Sequence, residues 1–339
     1  MSPGPFSFVR RTRNTGAMTR ADADALLARG QTEAAIAALT AAGRGGDGRA
    51  WFRLAILRLT GDRIARDLPG ARAALAAARI AGDPDAALME VALTANGTGA
   101  PRDWRGAVTL LEAAARRDRV AQAHLALLTA MDLDADGLPR RLPELRPLST
   151  APRIGIAHGF LTATEGRHIV EAAAELLEPS MVVDPRTGRQ VPHPIRTSRS
   201  AAIGPTRETL PIQAILRRIA LLSDTGVEQG EPLTLLDYRP GQEYRPHHDA
   251  IPGLANQRIA TVLLYLNQGY AGGATRFTRS GLTIEGRGGD ALVFGNTLPD
   301  GRPDPDAEHA GLPVIEGQKL LATRWIRGAP IDPWTMGGS

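Results

Sequence analysis

The sequence predicts a multidomain α and β protein: an all-α repeat in the first half, then a β-sandwich or jelly roll flanked by helices. Three observations predict it. Small and apolar residues recur at a spacing of 36 in the first half. Prolines then break every helical pattern between Asp136 and Arg153. Beyond Glu231 short apolar runs follow, set off by Gly and Pro.

The repeat is carried by particular residues. Ala35, Ala71 and Ala107 are in register, as are Leu39, Leu75 and Leu111. Gly61 matches Gly97, Asp67 matches Asp103, and Gly70 matches Gly106. A period in the mid-thirties with small residues at fixed places marks stacked helical hairpins, in which Ala and Gly permit close approach. The stretch Ala86–Ala114, AALMEVALTANGTGAPRDWRGAVTLLEAA, resembles a Sel1-like, TPR-related repeat. An irregular helical bundle is the alternative. The expected organisation is a flexible N-terminus over 1–19, a helical repeat domain over 20–138, a Pro-rich linker over 139–153, a second domain over 154–330, and a tail over 331–339. Within the second domain, helices are expected at Thr164–Leu177, capped by Thr162 or Thr164, and at Leu210–Leu222. Strands are expected at Leu233–Tyr238, Arg258–Leu266, Ala291–Phe294 and Lys319–Ile326.

Composition removes several function classes. A chain of 339 residues with 43% hydrophobic content has enough apolar surface for packed cores. The net charge of +4 is no nucleic-acid footprint. There is no Cys, which excludes disulfides, thiolate metal sites and Cys nucleophiles, and leaves any metal to His, carboxylate, carbonyl and water. Arg10, Arg11 and Arg13 are followed by no apolar segment, and no run approaches the roughly 20 residues that span a bilayer. The expectation is a cytoplasmic protein with neither membrane nor nucleic-acid partner.

Two of the seven His stand in YRPGQEYRPHHDA. In an extended segment His247 and Asp249 point the same way and His248 points away, so the first two can grip one ion. His309, ahead of the last strand, is available as a third ligand. Two His and one carboxylate on one face of a metal leave the opposite positions open, the arrangement used for O₂ activation at non-haem Fe(II). Of the 40 basic residues all but Lys319 are Arg. That Lys begins a strand in which Lys319, Leu321, Thr323, Trp325 and Arg327 share one face.

These pieces, taken in order, resemble the prolyl 4-hydroxylase family of 2-oxoglutarate oxygenases over about residues 155–328. The matching segments are RTS at Arg196–Ser198, Y-x-x-G-Q-x-Y-x-x-H-x-D from Tyr238 to Asp249, and YLN at Tyr265–Asn267. They continue with GGATRF at Gly272–Phe277, GDALVFGN at Gly289–Asn296, and H-A-x-x-P-V-x-x-G-x-K-x-x-x-x-x-W from His309 to Trp325. The resemblance implies a double-stranded β-helix (jelly-roll) domain in which His247, Asp249 and His309 bind Fe(II). It implies that Lys319 pairs with the distal carboxylate of 2-oxoglutarate, with Tyr238, Tyr265 and Thr275 beside that cosubstrate. A compact ammonium suits a narrow pocket that ends in one carboxylate.

Arg196, Ser198, Tyr244, Arg258, Glu231 and Trp325 resemble positions lining a peptide groove. The loop DPRTGRQVPHPIRTS, with His193, is of the kind that closes over substrate. Arg327 stands where the family often has His, which points to a different preferred peptide or peptide charge. The implied reaction is hydroxylation of a C–H bond of peptidyl proline, with O₂ consumed, succinate and CO₂ as coproducts, and ascorbate as a further requirement. Two alternatives stand beside it. One is a hydroxylase of a small molecule or a non-proline residue. The other is an interaction protein that binds a protein partner through its repeats and carries a degenerate oxygenase domain.

Overall fold

The computed structural model describes residues 20–183, 190–192 and 194–335; part of the expected substrate-covering loop, 184–189 with His193, lies outside them, as do 1–19 and 336–339. The chain forms two compact units, 1–90 and 91–339.

The first unit is helical. It holds α1 (Arg20–Ala28), α2 (Thr32–Arg44), α3 (Gly48–Thr60), α4 (Leu68–Ile80) and the start of α5 (Pro84–Asn96), and α1 to α4 each pack on the next. The repeated Ala35, Leu39, Ala71 and Leu75 are all buried. Capping explains the polar part of the repeat. The Asp67 side chain accepts from the Gly70 N–H at 2.9 Å and so starts α4. In the second unit Asp103 does the same for α6 (Trp104–Ala115) through the Gly106 N–H at 2.8 Å. A Cβ on Gly70 or Gly106 would stand 1.9 or 2.1 Å from the capping carboxylate oxygen. At these two caps the carboxylate lies in the space a side chain would need, whereas Asp47, Asp83 and Asp118 cap the N–H of an alanine three residues on.

The second unit is built around antiparallel strands. After α6 and α7 (Arg119–Ala130) come β1 (Arg146–Thr150), β2 (Arg153–Ala157), α8 (Ala163–Ala173), β3 (Glu178–Pro179), β4 (Met181–Val183), β5 (Gln190–Pro192), β6 (Arg199–Ile203) and α9 (Leu210–Leu222). Then follow β7 (Leu233–Tyr238), β8 (Tyr244–His247), β9 (Arg258–Tyr265), β10 (Ala271–Gly272), β11 (Thr275–Phe277), β12 (Thr283–Ile284), β13 (Ala291–Gly295), β14 (His309–Gly311), β15 (Val314–Glu316) and β16 (Lys319–Arg327). The major sheet runs β1-β2-β13-β9-β16-β7-β6-β3, and a minor sheet runs β12-β11-β14-β8. Between them lies a core of Ile154, Ile156, Leu236, Leu263, Phe277, Ile284, Leu292, Phe294, Val314 and Leu321, drawn from both sheets. Facing antiparallel sheets around one core are the jelly roll that the strand pattern predicts.

The other face of the major sheet is covered by helices. α9 is buried along most of its length, and its buried polar residues are paired: Gln213 with the Ala92 carbonyl and Arg218 with the Glu165 carboxylate. α8 opens on Thr162: its hydroxyl accepts from the Glu165 N–H at 3.2 Å, while the Glu165 carboxylate accepts from the Thr162 N–H at 2.7 Å. This helix ends at Ala173 and tightens to a 3-10 turn, Ala174–Leu176, which shortens the expected Thr164–Leu177 helix. Pro179, two residues beyond Leu177, supplies a reason for the stop.

The Pro-rich stretch expected as a linker contains β1. Pro147 fits there because β1 is an edge strand, where an N–H can be missing without breaking the ladder, and Pro152 lies in the turn to β2. The division between compact units also falls earlier than the expected boundary at 138, because α5 to α7 are tied into the second unit. Gln213 Nε2 donates to the Ala92 carbonyl at 2.9 Å, and Asn96 Nδ2 donates to the Pro205 carbonyl at 2.9 Å. The Arg217 guanidinium lies 4.2 Å from the Trp104 ring centroid, and the His124 and His168 rings meet edge-on at 5.0 Å. Part of the expected tail is tied in as well, since Trp334 Nε1 donates to Thr98 Oγ1 at 3.1 Å.

These contacts predict that a fragment beginning at Pro143 is less stable and less soluble than one beginning at Pro84. The shorter fragment bares the surface that Gln213, Arg217 and His168 present to α5, α6 and α7. Thermal melting of the two fragments tests this, and equal melting temperatures would show that α6 and α7 are dispensable.

Candidate active site

Strand register places the metal-binding side chains. β8 and β14 are neighbours in the minor sheet, and His247 at the end of β8 lies directly across from His309 at the start of β14. Asp249 follows two residues beyond β8 and is buried, whereas His248 between them is turned out, near the Glu308 carboxylate at 3.8 Å. One ligand atom from each of His247, Asp249 and His309 lies within 4.8 Å of the other two.

Hydrogen bonds settle the protons. The Nδ1 atoms of His247 and His309 lie 2.8 Å from the Arg245 carbonyl and 3.0 Å from the Ala307 carbonyl. A carbonyl only accepts, so each Nδ1 carries a proton, and the neutral ring then keeps its lone pair on Nε2. Those lone pairs face Asp249: Nε2 of His247 is 3.7 Å from Oδ1, and Nε2 of His309 is 3.7 Å from Oδ2. Burial, and then the neighbouring His309, push the His247 imidazole down to about 3, so it stays neutral. Burial alone would raise the Asp249 carboxyl, but His309, His247 and a 2.7 Å hydrogen bond from the Thr261 hydroxyl outweigh it and hold it below the usual range. The Trp325 indole N–H acts in the same direction on Asp249 without closing a hydrogen bond.

Two neutral imidazoles and one carboxylate, with lone pairs converging in a buried space, fit a divalent transition metal. Two His with one carboxylate and open positions is the donor set of non-haem Fe(II). The walls are aromatic. Tyr244 stacks on His247 with ring centroids 3.4 Å apart, and Phe294 meets His309 edge-on at 4.7 Å.

A cavity runs inward from these ligands, lined by Leu236, Leu263 and Leu321 on its apolar side and by Tyr238, Thr275 and Lys319 at its polar end. Lys319 is 2% exposed and its Nζ donates to the Gly273 carbonyl at 2.6 Å. Among the described residues no carboxylate pairs with it, and burial lowers its ammonium to about 8. Thr323, on the same face of β16 and also lining the cavity, has a buried hydroxyl without a hydrogen-bond partner. An unmatched ammonium at the far end and an orphaned hydroxyl between it and the metal ligands fit a small dicarboxylate such as 2-oxoglutarate.

The remaining sequence-predicted residues divide into groups. Tyr238 lines the cavity, and Tyr265 stands behind it, its hydroxyl 3.1 Å from Thr275 Oγ1. Burial raises both phenols. Tyr244 and Trp325 line the cavity mouth, while Arg196 lies over Tyr244 with its Cζ 5.5 Å from the ring centroid. Arg196 Nε also donates to Ser180 Oγ at 3.0 Å, and the buried Ser198 lies beside Ser180 at 3.5 Å and acts to lower the Tyr238 phenol against the effect of burial.

Arg258 and Glu231 stand apart from the cavity as a bidentate pair at 2.7 Å on both arms, with the Arg258 guanidinium 4.1 Å from the Trp325 ring centroid. Arg327 joins them. Its Nε donates to the Glu231 carboxylate and its Nη1 to the Asn256 carbonyl at 2.8 Å. Arg327 is buried and shares the Glu231 carboxylate with Arg258, so the charge expected to act on a peptide is held inside this cluster and not presented as a lone exposed cation.

Sequence reasoning gave no role to Thr261, Asn296 or Ser180. Thr261 sits mid-strand in an apolar run and Ser180 lies outside the RTS segment, so neither carries a local signal. Asn296 ends the GDALVFGN segment, and only the fold shows what it touches.

Residues 233–327 match the 2OG-Fe(II) oxygenase superfamily. The chain is 36% identical over 219 residues to prolyl 4-hydroxylase 1 of Arabidopsis thaliana, an alignment covering 58% of this chain and 77% of that protein. It is 35% identical over 204 residues to probable prolyl 4-hydroxylase 10 of the same plant, covering 53% of this chain and 70% of the other. Among solved structures, the 2OG complex of the viral collagen prolyl hydroxylase from Paramecium Bursaria Chlorella virus-1 aligns at 25% identity and a TM-score of 0.42, over 52% of this chain and 96% of that one.

Two outcomes follow from Lys319. Replacing it with Ala should weaken 2-oxoglutarate binding by about 10- to 100-fold, the worth of one hydrogen-bonded charge at roughly 1.5–3 kcal/mol. In the intact protein, affinity should be constant below pH about 8. Above that it should fall, by up to tenfold per unit, because the free ammonium loses its proton while the ligand-bound one retains it. Calorimetric titration across pH measures both, and a pH-independent dissociation constant would remove Lys319 from the role.

Proposed function

Because this chain belongs to the prolyl 4-hydroxylase family within the 2OG-Fe(II) oxygenase superfamily, we propose that it hydroxylates proline in a peptide or protein. The reaction consumes O₂ and 2-oxoglutarate and releases succinate and CO₂. The single observation that carries the catalytic part is the convergence of His247, Asp249 and His309 at the mouth of a cavity that ends in Lys319. The choice of proline rests on the relatives.

Each residue has a separate task. His247, Asp249 and His309 hold the iron through Nε2, a carboxylate oxygen and Nε2. When bound, Fe(II) supplies the redox chemistry that couples decarboxylation of 2-oxoglutarate to oxygen insertion. Lys319 binds the far carboxylate of the cosubstrate, and its depth in the cavity fixes which end reaches the metal. Leu236, Leu263 and Leu321 exclude water along the cosubstrate's methylenes, which strengthens the charge pairing at its end.

Tyr244 is the surface on which a pyrrolidine ring can stack at the cavity mouth, with Arg196 above it to meet a peptide carbonyl. An extended or polyproline-like peptide loses little entropy when bound there. Ascorbate as the reductant that keeps the iron reduced, and partner capture by the helical repeats, belong to the same proposal.

The test is succinate release together with mass spectrometry across proline-containing peptides, with the protein loaded with Fe(II) and 2-oxoglutarate. One added oxygen on proline is expected, abolished in His309→Ala and reduced about fivefold or more in Tyr244→Ala and Arg196→Ala, given about 1 kcal/mol or more per stacking or hydrogen-bond contact. Turnover of free amino acids or other small molecules, with no proline peptide oxidised, would overturn the substrate class and leave the oxygenase reading standing.

A further inference from the structure

We propose that Asn296 and Thr261 are positioning residues for the metal site, and that Asn296 sets the hydrogen-bond direction that orients the Asp249 carboxylate. The proposal rests on reading His247, Asp249 and His309 as metal ligands. Neither residue lines the cavity. Thr261 is 0% exposed in the middle of β9, and Asn296 is 2% exposed just past β13.

A chain of two hydrogen bonds links them to the carboxylate. Asn296 Nδ2 lies 2.8 Å from Thr261 Oγ1, which lies 2.7 Å from Asp249 Oδ2. The direction is forced. An amide nitrogen only donates and a carboxylate only accepts, so the Thr261 oxygen accepts from Asn296 and spends its one proton on Asp249. The opposite amide orientation would place a second acceptor on a hydroxyl with a single proton. It would break one of the two bonds between groups that are all buried. The present orientation leaves Asn296 Oδ1 without a partner, a cost accepted to keep both bonds to Thr261 and Asp249.

The result is a carboxylate restrained against rotation by the bond at Oδ2. With Oδ2 held by Thr261, the plane of Asp249 is set, and its two oxygens are presented to His247 and His309 at 3.7 Å each. Partners of this kind orient metal ligands and are worth about 10- to 100-fold in metal affinity.

The backbone of Asn296 reaches a second ligand. Its N–H donates to the Ile259 carbonyl at 2.9 Å, and its carbonyl accepts from the Asp304 N–H at 2.9 Å. The Asp304 carbonyl accepts from Ala307 N–H at 3.1 Å, and the Ala307 carbonyl in turn accepts the His309 Nδ1 proton at 3.0 Å. Asn296 thus ties Asp249 through its side chain and His309 through its main chain. Side-chain substitution cuts only the first of these links.

The experiment uses the full chain, stripped of metal and titrated with Co(II), read by calorimetry and by the d–d absorption of the bound ion. Wild type should take up one equivalent; if it takes up none, the metal-site reading fails and the proposal falls with it. Given that binding, Thr261→Val keeps the shape and removes the hydroxyl, and Asn296→Asp draws the Thr261 proton away from Asp249. Each should weaken Co(II) about 10- to 100-fold and change the absorption bands. Thr261→Ser should restore affinity to within about threefold, since it keeps the donor. Wild-type affinity and spectrum in Thr261→Val would overturn the proposal, and so would equal losses in Thr261→Ser and Thr261→Val. Should Asn296→Asp fail to fold, the pair of Thr261 variants decides the matter.

Discussion

The structure of the catalytic unit depends on holding two unprotonated imidazole nitrogens against a carboxylate in a dry interior. Such an arrangement is costly unless every other polar atom nearby is fixed. The protein meets that cost from the backbone outward. Each His gives its Nδ1 proton to a carbonyl two residues before it, in a strand or at its entrance, and the β8–β14 register sets the two rings across from each other. The aromatic and aliphatic walls then keep water from competing for the lone pairs.

A second buried charge follows the same logic at the other end of the cavity. Lys319 opens β16, a strand with neighbours on both sides, and cannot snorkel to solvent from there. Its one hydrogen bond to Gly273 keeps the ammonium in place without neutralising it. A cation so placed is a destabilising feature of the free fold and a recognition element for an anion. The jelly roll supplies the needed rigidity because β9 and β16, which carry Thr261, Lys319 and Thr323, lie in the middle of the major sheet.

The opposite face of β16 shows how strand alternation separates recognition from support. Thr323 and Trp325 point into the cavity, while Arg324 between them is buried on the helical side. There its guanidinium meets the carbonyls of Val227 at 2.8 Å and of Leu216, in α9, at 3.4 Å. Burial lowers Arg324 to about 10, with Glu208 acting to restore it. The helices behind the sheet are thus part of what holds the catalytic strand in position.

Much of this was legible in the sequence. Strands β7, β9, β13 and β16 announce themselves by β-branched and Leu runs between Gly and Pro, and α9 by its apolar length after Pro205. The 36-residue repeat marks the helical half through residues that pack or cap locally, and His247, Asp249, His309 and Lys319 stand out because their chemistry is rare in this composition. Local signals fail where a role is assigned by a partner distant in sequence. β1 and β8 carry Pro and charge, and become strands only because an edge or a neighbouring strand is there to pair with them. Glu231 and Arg258 read as groove residues, yet Glu231 pairs with Arg258 and with Arg327 across 27 and 96 positions of chain. The sequence by itself therefore determined the two-part architecture and the residues that are candidates for metal and cosubstrate binding, since these depend on residue type and short-range spacing. Only the tertiary structure decided which hydroxyl serves Asp249, which Arg residues share Glu231, and where the compact units divide, because each is a contact between segments that the chain brings together only on folding.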